Sequence, residues 1–453
     1  MSIGNDQVHA PSFRLAAALS LWVALGLGAG GLEAATFFVT KTTDDDGPCE
    51  TDDCALREAV LAANAAPGKD TIVLAGGTYQ LSIQGSAENL SLTGDLDVRD
   101  DLEVFGDETS PTIVLGDGSD RVLQAISTSL LISHLTITGG ASFASGGGIR
   151  ASVGTLTILN STIRDNSTQQ DGGGIFFGVG TLTLTDSTVD GNSAGELGFG
   201  GGLHVDGITA TNLVLTNSTV SGNSAYSGGG VFALFDVDVA ITNTTIANNT
   251  ASFRGEAFAN QFSPAPTFAN TLFVGSCAIL SNPPVSLGGN VESPGDSCQL
   301  PDTDRYGVPD PGIAGLADNG GPTWTHALLP GSLAIDTAVD GECPETDQRG
   351  FARPFDGDED MIATCDVGAY ELQGSQSAVD VPALSPMGWT AFVLLLAAAA
   401  LARLRRRWRA PSGLPSSRNS CWPRSATSET RRAASAPAGR AGQSQGDRVT
   451  GRC

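Results

Sequence analysis

Residues 172–194 read GGGIFFGVGTLTLTDSTVDGNSA. Three consecutive glycines, a Thr-Leu alternation and a closing Asp-Gly-Asn would suit one strand and its turn. The neighbouring sequence writes the same phrase again. GGGIRASVGTLTILNSTIRDNS begins at Gly146, GGGLHVDGITATNLVLTNSTVSGNS at Gly200 and GGGVFALFDVDVAITNTTIANNT at Gly228. The starts lie 26, 28 and 28 residues apart, a period that calls for a repeat architecture. In every copy a polar residue (Asn160, Asp186, Asn217, Asn243) stands six positions before an asparagine (Asn166, Asn192, Asn223, Asn249).

The alternation in Thr155-Leu156-Thr157-Ile158 and Thr181-Leu182-Thr183-Leu184 has period two, so Leu and Ile share one face and Thr the other. These are strands, and no copy carries the 3.6 periodicity of a helical repeat. A unit this short cannot bury its apolar face alone, so the units stack. The fold class expected is all-β: a right-handed parallel β-helix, the hand taken from the rule for parallel crossovers. Each strand then pairs with its equivalent one coil along, and the in-register Asn positions are expected to form internal amide ladders at the turns. Strand-like pieces at Asp70–Leu74, Gly77–Leu81, Leu96–Val98, Leu102–Gly106, Thr112–Leu115 and Leu130–Ile137 extend the solenoid to residues 70–275.

The chain has 453 residues, 58 of them Gly and only 4 Tyr, and a formal net charge of −25. The charge is uneven. Twelve of the 24 basic residues lie at or beyond Arg403, so residues 1–402 carry 12 basic and 47 acidic groups, a net of −35. Such a body repels phosphate backbones, which excludes nucleic acid as a partner.

Arg14 followed by the apolar run Leu15–Leu25 and small residues up to Ala35 reads as a signal peptide over 1–35. Export agrees with six cysteines spaced as short loops, Cys49/Cys54, Cys277/Cys298 and Cys343/Cys365. Pairing of neighbours is the expectation, although spacing alone leaves other connectivities open.

An open solenoid needs a cap at each end. Asp53 is placed to N-cap a short amphipathic helix in CALREAVLAAN (54–64), with Leu56, Ala59, Val60 and Ala63 on one face. That phrase, after DDDGPCETDDC, closely resembles the CSLREA motif at the start of many bacterial secreted β-helix proteins, and places an N-terminal cap over 36–69. The phrasing around Asn223–Val231 also resembles the repeats of polymorphic outer-membrane proteins. LADNGGPTWTHALLPGSLAIDTA (316–338), DQRGFARP (347–354) and CDVGAYE (365–371) are similar to the choice-of-anchor Q module, here 276–372, with a disulfide-containing cap expected. Val381-Pro382-Ala383-Leu384, the apolar Thr390–Ala402 and the arginines 403–409 resemble an IPTL-CTERM sorting tail over 373–409. This resemblance implies transient anchoring in the inner membrane and a membrane-embedded sorting protease as partner. Residues 410–453, rich in Ser, Arg, Ala and Pro, read as a disordered basic tail.

Catalysis is tested on residues and not on fold. Hydrolysis needs two carboxylates about 5 to 10 Å apart. Asp165, Asp186 and Asp190 are available, yet each fills a slot held by Asn, Gly or Ser in another coil, so turn chemistry explains them. A lyase needs a basic proton acceptor, and the repeats contain only Arg150 and Arg164. No catalytic residue and no obligate cofactor is assigned. Calcium is the one candidate ion: Asp302, Asp304 and Asp310 imitate an Asp-rich loop with Tyr306 in a ligand slot, and Asp356, Asp358 and Asp360 make a denser acidic turn. A solvated acidic loop is the preferred reading of both. His134, His204 and His326 stand singly, as surface or packing residues. These features describe a non-enzymatic exported protein of the cell surface, outer membrane or medium, serving adhesion or envelope structure through a polysaccharide or a neighbouring cell. The alternative is a polysaccharide lyase or glycoside hydrolase of the pectate-lyase-like β-helix type.

Overall fold

The computed structural model describes residues 34–86 and 88–373. The signal segment to residue 33, the motif Val381-Pro382-Ala383-Leu384, and the apolar and basic segments after it lie outside the described residues.

The chain coils into a parallel β-helix. One long sheet is traced by Thr36–Val39, Asp70–Leu74, Leu102–Phe105, Thr128–Ser133, Ile149–Leu159, Ile175–Thr185, Leu203–Thr216, Val231–Thr242, Phe258–Gln261 and Cys277–Ile279. A second, here termed the flank, runs through Gly77–Gln80, Thr112–Leu115, Thr136–Thr138, Thr162–Arg164, Thr188–Asp190, Thr219–Ser221, Thr245–Ala247, Leu272–Val274 and Val291–Ser293. All pairings in both sheets are parallel, and they continue past residue 275 to Ser293. The expected strand over Leu130–Ile137 is broken at His134, whose φ of 57° turns the chain from the first sheet to the flank.

The alternation is satisfied as the period demands. Leu156, Leu182, Leu213 and Val239 lie in register in successive coils, as do Ile158, Leu184, Leu215 and Ile241, and all are buried. Each buried aliphatic side chain contributes on the order of 1.5–3 kcal/mol. The glycine triplets let the coils approach. Gly172 has a φ of +69°, and a Cβ on Gly173 would overlap the carbonyl oxygen of Gly201 in the next coil. In return the amides of Gly173, Gly174 and Ile175 donate to the carbonyls of Gly200, Gly201 and Gly202 at 2.9–3.1 Å.

The two asparagine rows have different duties, which corrects the expectation of a ladder in both. The second row is the ladder: Nδ2 of Asn166 donates to Oδ1 of Asn192, Asn192 to Asn223 and Asn223 to Asn249, at 3.1, 3.0 and 2.9 Å. Each Oδ1 also accepts the backbone amide of the preceding coil's asparagine. The first row has left-handed backbone, with φ of 46° at Asn160, 52° at Asp186, 49° at Asn217 and 46° at Asn243. Asn and Asp tolerate that region best among non-glycine residues. Asn217 hydrogen-bonds the Asp186 carboxylate, but the carboxamides of Asn217 and Asn243 donate sideways to the carbonyls of Thr346 and Glu342 and build no axial ladder like that of the second row.

The N-terminal end is closed by the helix Leu56–Ala65, with Leu56, Ala59, Val60 and Ala63 buried. Its N-cap is Ala55 and not Asp53. Glu58 does the capping by accepting the Ala55 amide at 2.7 Å and the Gly47 amide at 3.1 Å. Arg57, fully buried, is gripped by both oxygens of Asp44 at 2.7 and 3.1 Å and donates to the carbonyls of Ser91, Gly94 and Asp95. At the other end the inward row of the flank ends in Glu292, whose carboxylate accepts the amides of Ser297 and Cys298. Residues 294–308 cover the last coil. Disulfides join Cys49 to Cys54, Cys277 to Cys298 and Cys343 to Cys365. No described helix is long and apolar enough to cross a membrane.

Asn192→Leu leaves the buried amide of Asn166 without its acceptor and the carbonyl of Ile163 without its side-chain donor, and is expected to lower stability by at least about 1–3 kcal/mol. Asn212→Ser, on an exposed position of a neighbouring strand, should leave the urea midpoint unmoved. A dependence on pH is expected near the N-terminal end. Burial first, then the adjacent Asp97 carboxylate, pushes Asp95 up to about 7, and burial raises Asp97 to about 6. A raised acid binds more protons folded than unfolded, so its stabilising contribution is full below about pH 4 and is lost as pH rises from there through 7. Asp95→Asn should flatten the fall in melting temperature between pH 5 and 8; an unchanged slope would refute the assignment.

Candidate functional site

The outward side chains of the flank form straight rows, because each coil sits in register on the last. One row runs Ile113, Thr136, Thr162, Thr188, Thr219, Thr245, Leu272. The next runs Leu115, Thr138, Arg164, Asp190, Ser221, Ala247, Val274. Beyond residue 308 the chain folds back along these rows as a module and covers their C-terminal half.

The covering module meets the rows mostly through hydrogen bonds. Gln348, buried, donates from Nε2 to Thr188 Oγ1 at 2.9 Å and accepts from Thr219 Oγ1 at 2.7 Å, bridging two coils. Thr188 Oγ1 donates to the Trp324 carbonyl at 2.7 Å, and Thr245 Oγ1 accepts the Ala369 amide at 3.0 Å. The left-handed asparagines supply the adjoining edge: Nδ2 of Asn217, Asn243 and Asn270 donates to the carbonyls of Thr346, Glu342 and Val339. The apolar anchor lies further along, where Leu272 and Val291 pack with Val308, Leu328, Ile335 and Val367.

The phrases DQRGFARP and CDVGAYE build the module's polar interior. Arg349 is paired with Asp347 at 2.6 Å and lies over the rings of Tyr370 and Phe351 at 3.5 and 4.5 Å. Arg353 donates to Asn243 Oδ1 at 2.9 Å and to the carbonyls of Asp366 and Gly368, with Glu371 at 3.6 Å. A buried cation so enclosed is tolerated because its Nη1 and Nη2 groups find oxygens and the Glu371 carboxylate lies beside its Nε, which makes no hydrogen bond. Burial, with Glu371 beside it, lifts the Asp366 carboxyl to about 8.

The uncovered half of the flank is a groove. Its main section, about 520 Å³, has Thr136, Thr138, Thr162 and Arg164 on the floor and Pro322 and Trp324 of the module as a wall. Sections of about 190 and 370 Å³ adjoin it and share Gly321 and Pro322. The wall loop leaves the antiparallel strand Ile313–Ala317 and returns in Thr325–Leu328. Arg164 lies 4.7 Å from the Trp324 ring centroid, 2.9 Å from Asp165 and 3.8 Å from Asp190. Burial raises the Asp190 carboxyl, and it raises Asp186 to about 6.

The acidic and histidine candidates of the sequence are distributed otherwise. Asp302 accepts from the Tyr306 hydroxyl at 2.8 Å, Asp304 is buried against Ser286 and Asn290, and Asp310 caps the Gly312 amide. Those three do not converge. Asp356 and Asp358 do come together, with Asp336 instead of Asp360 as the third carboxylate within reach of one ion. Asp360 and Asp356 cap amides of their own turn. His204 is buried between Phe176 and Phe232, its ring stacked at 5.3 and 5.5 Å. The His326 ring is hydrogen-bonded to Ser221 Oγ at 2.9 Å and to the Ala314 carbonyl at 2.7 Å. Serine and histidine there have the layout of a nucleophile and base, but both are buried under the module, with no path for a substrate. Thr136, Thr162 and Trp324 carry no distinct signal in the sequence: outward threonine on a strand looks like ordinary β-propensity, and the indole reaches the flank only through the fold.

No protein-family model matches the chain, and no curated protein matches it. Among solved structures it is similar to one described as "Crystal structure of pectate lyase Pel9A", with 12% identity and a TM-score of 0.41, over 75% of this chain and 97% of that one. At that identity and score, nothing about chemistry carries over.

Proposed function

We propose that the chain is an exported, non-catalytic β-helix protein that holds an uncharged polysaccharide in the flank groove at the cell surface. The observation that carries the reading is the open row of threonine hydroxyls beside the half-exposed ring of Trp324. Hydroxyls and an aromatic face are what a sugar chain uses, the face for its apolar C–H surface and the hydroxyls for its rim. Arg164 argues against a lyase. Its guanidinium offers donors and no acceptor, and two carboxylates and an indole face engage it. The same ion pairs occupy Asp165 and Asp190, the nearest pair of acids. Asp107, Glu108, Asp165, Asp186, Asp190, Asp318 and Asp347 line the three sections of the groove against Arg164 and Arg349, so a polyuronate would meet like charge. The disulfides suit an oxidising compartment, and the likeness of the N-terminal and C-terminal phrases to secreted, sorted proteins supplies the route of export.

The test is affinity electrophoresis of the purified protein through gels holding neutral, acidic or cationic polysaccharides, with parallel assays for unsaturated and reducing-end products. Retardation by a neutral polymer without product is the expected result. Product accumulating from a homogeneous sample would make the chain a lyase or hydrolase and sink the binding reading. For the tail, a stretch of about 13 apolar residues is shorter than the roughly 20 that settle in a bilayer, and the arginines after it halt translocation. The mature protein from native cells is expected by intact mass to end within residues 380–389. Peptides from beyond Arg409 on that form would rule out processing.

A further inference from the structure

We infer that the groove recognises the end of a linear glycan, not its middle; the inference rests on the reading of the chain as a polysaccharide-binding protein. The open row advances one residue per coil, Ile113, Thr136, Thr162, and coils rise about 4.8 Å. That rise is close to the length one pyranose unit adds to an extended, equatorially linked chain. A glycan lying parallel to the solenoid axis therefore meets one row position per unit, and stays in step with the floor without bending.

The row is open in one direction only. Toward the N-terminal coils it passes to Thr78, which is exposed. Toward the module it stops at Thr188, whose hydroxyl is taken by the Trp324 carbonyl and by Gln348. From Thr188 through Thr219 to Thr245 the row is sealed, each residue no more than 2% exposed. A glycan running through the site would have to pass where the Gln348 carboxamide already bridges Thr188 and Thr219. It stops there instead, and its last unit faces the Trp324 indole and Arg164. Thr78, Ile113, Thr136 and Thr162 leave room for about four units before the ligand leaves the row.

The experiment uses one neutral glycan that the electrophoresis panel selects, cut to a series of chain lengths and presented at equal mass. Protein bound per gram is expected to rise in proportion to the number of chain ends, and affinity for short oligomers to level off at about three or four units. Trp324→Ala should weaken binding about tenfold at every length, since an aromatic anchor dominates a small contact, and Trp324→Phe should restore most of it. Binding that follows mass and not ends, or affinity that keeps climbing with longer oligomers, overturns end recognition while the groove remains a glycan site. If no polysaccharide of the panel is bound, the binding reading fails and end recognition with it.

Discussion

Every peptide group in a parallel coil must find its partner in the next coil, about 4.8 Å away, and this requirement organises the rest of the molecule. It forbids slippage, because a one-residue shift would turn Leu156, Leu182 and Leu213 out of the core. It makes the Gly173 position intolerant of any side chain, since the carbonyl of Gly201 occupies the place of a Cβ. Where the backbone turns too sharply to satisfy itself, the carboxamides of Asn166, Asn192, Asn223 and Asn249 carry the pairing across.

The same register lines up the outward side chains without any further design. A row of threonines is then a rail whose hydroxyls repeat at the coil spacing, and the C-terminal module is fitted to it. Gln348 works because Thr188 and Thr219 stand one above the other, so that a single carboxamide can give to one hydroxyl and take from the other. The left-handed asparagines act in the same way at the corner, where three successive carboxamides meet three carbonyls of the module. The interface is therefore specific in register as well as in position. Moving the module one coil toward the C-terminal end would set Leu272 against the Ala369 amide in place of Thr245, and leave that amide unpaired.

The sequence disclosed what repeats and hid what does not. The spacing of the glycine triplets and the Thr-Leu alternation were enough for the parallel β-helix, and the amphipathic face of 56–65 was enough for the cap. Two asparagine rows looked alike because the ladder and the left-handed corner select the same residue for unrelated reasons, one for its carboxamide and the other for its tolerance of positive φ. The capping residue was misplaced because Glu58 and not the residue before the helix supplies the oxygen. Asp44 gripping Arg57, and Arg353 reaching Asn243 from 110 positions away, are pairings between a motif and a distant segment, which periodicity does not report. The groove was least legible: its floor is written in ordinary β-forming residues, and its wall arrives from residues 318–324.

Composition along the second outward row bears on where function lies. These positions are free of duty to the core, and where the module covers them they are small, Ser221 and Ala247. At the last open coils, after Leu115 and Thr138, they become Arg164 and Asp190, an opposite-charge pair in consecutive coils, next to the one tryptophan of the module. An ion pair that solvent still reaches adds little stability, so folding alone gives no reason for it. Its effect is to keep the guanidinium over the indole, 4.7 Å from the ring centroid, and so to hold Trp324 at the mouth of the closed end. The departure from small, uncharged residues coincides with the boundary between covered and uncovered rail, where a ligand chain entering from the open coils would meet the module.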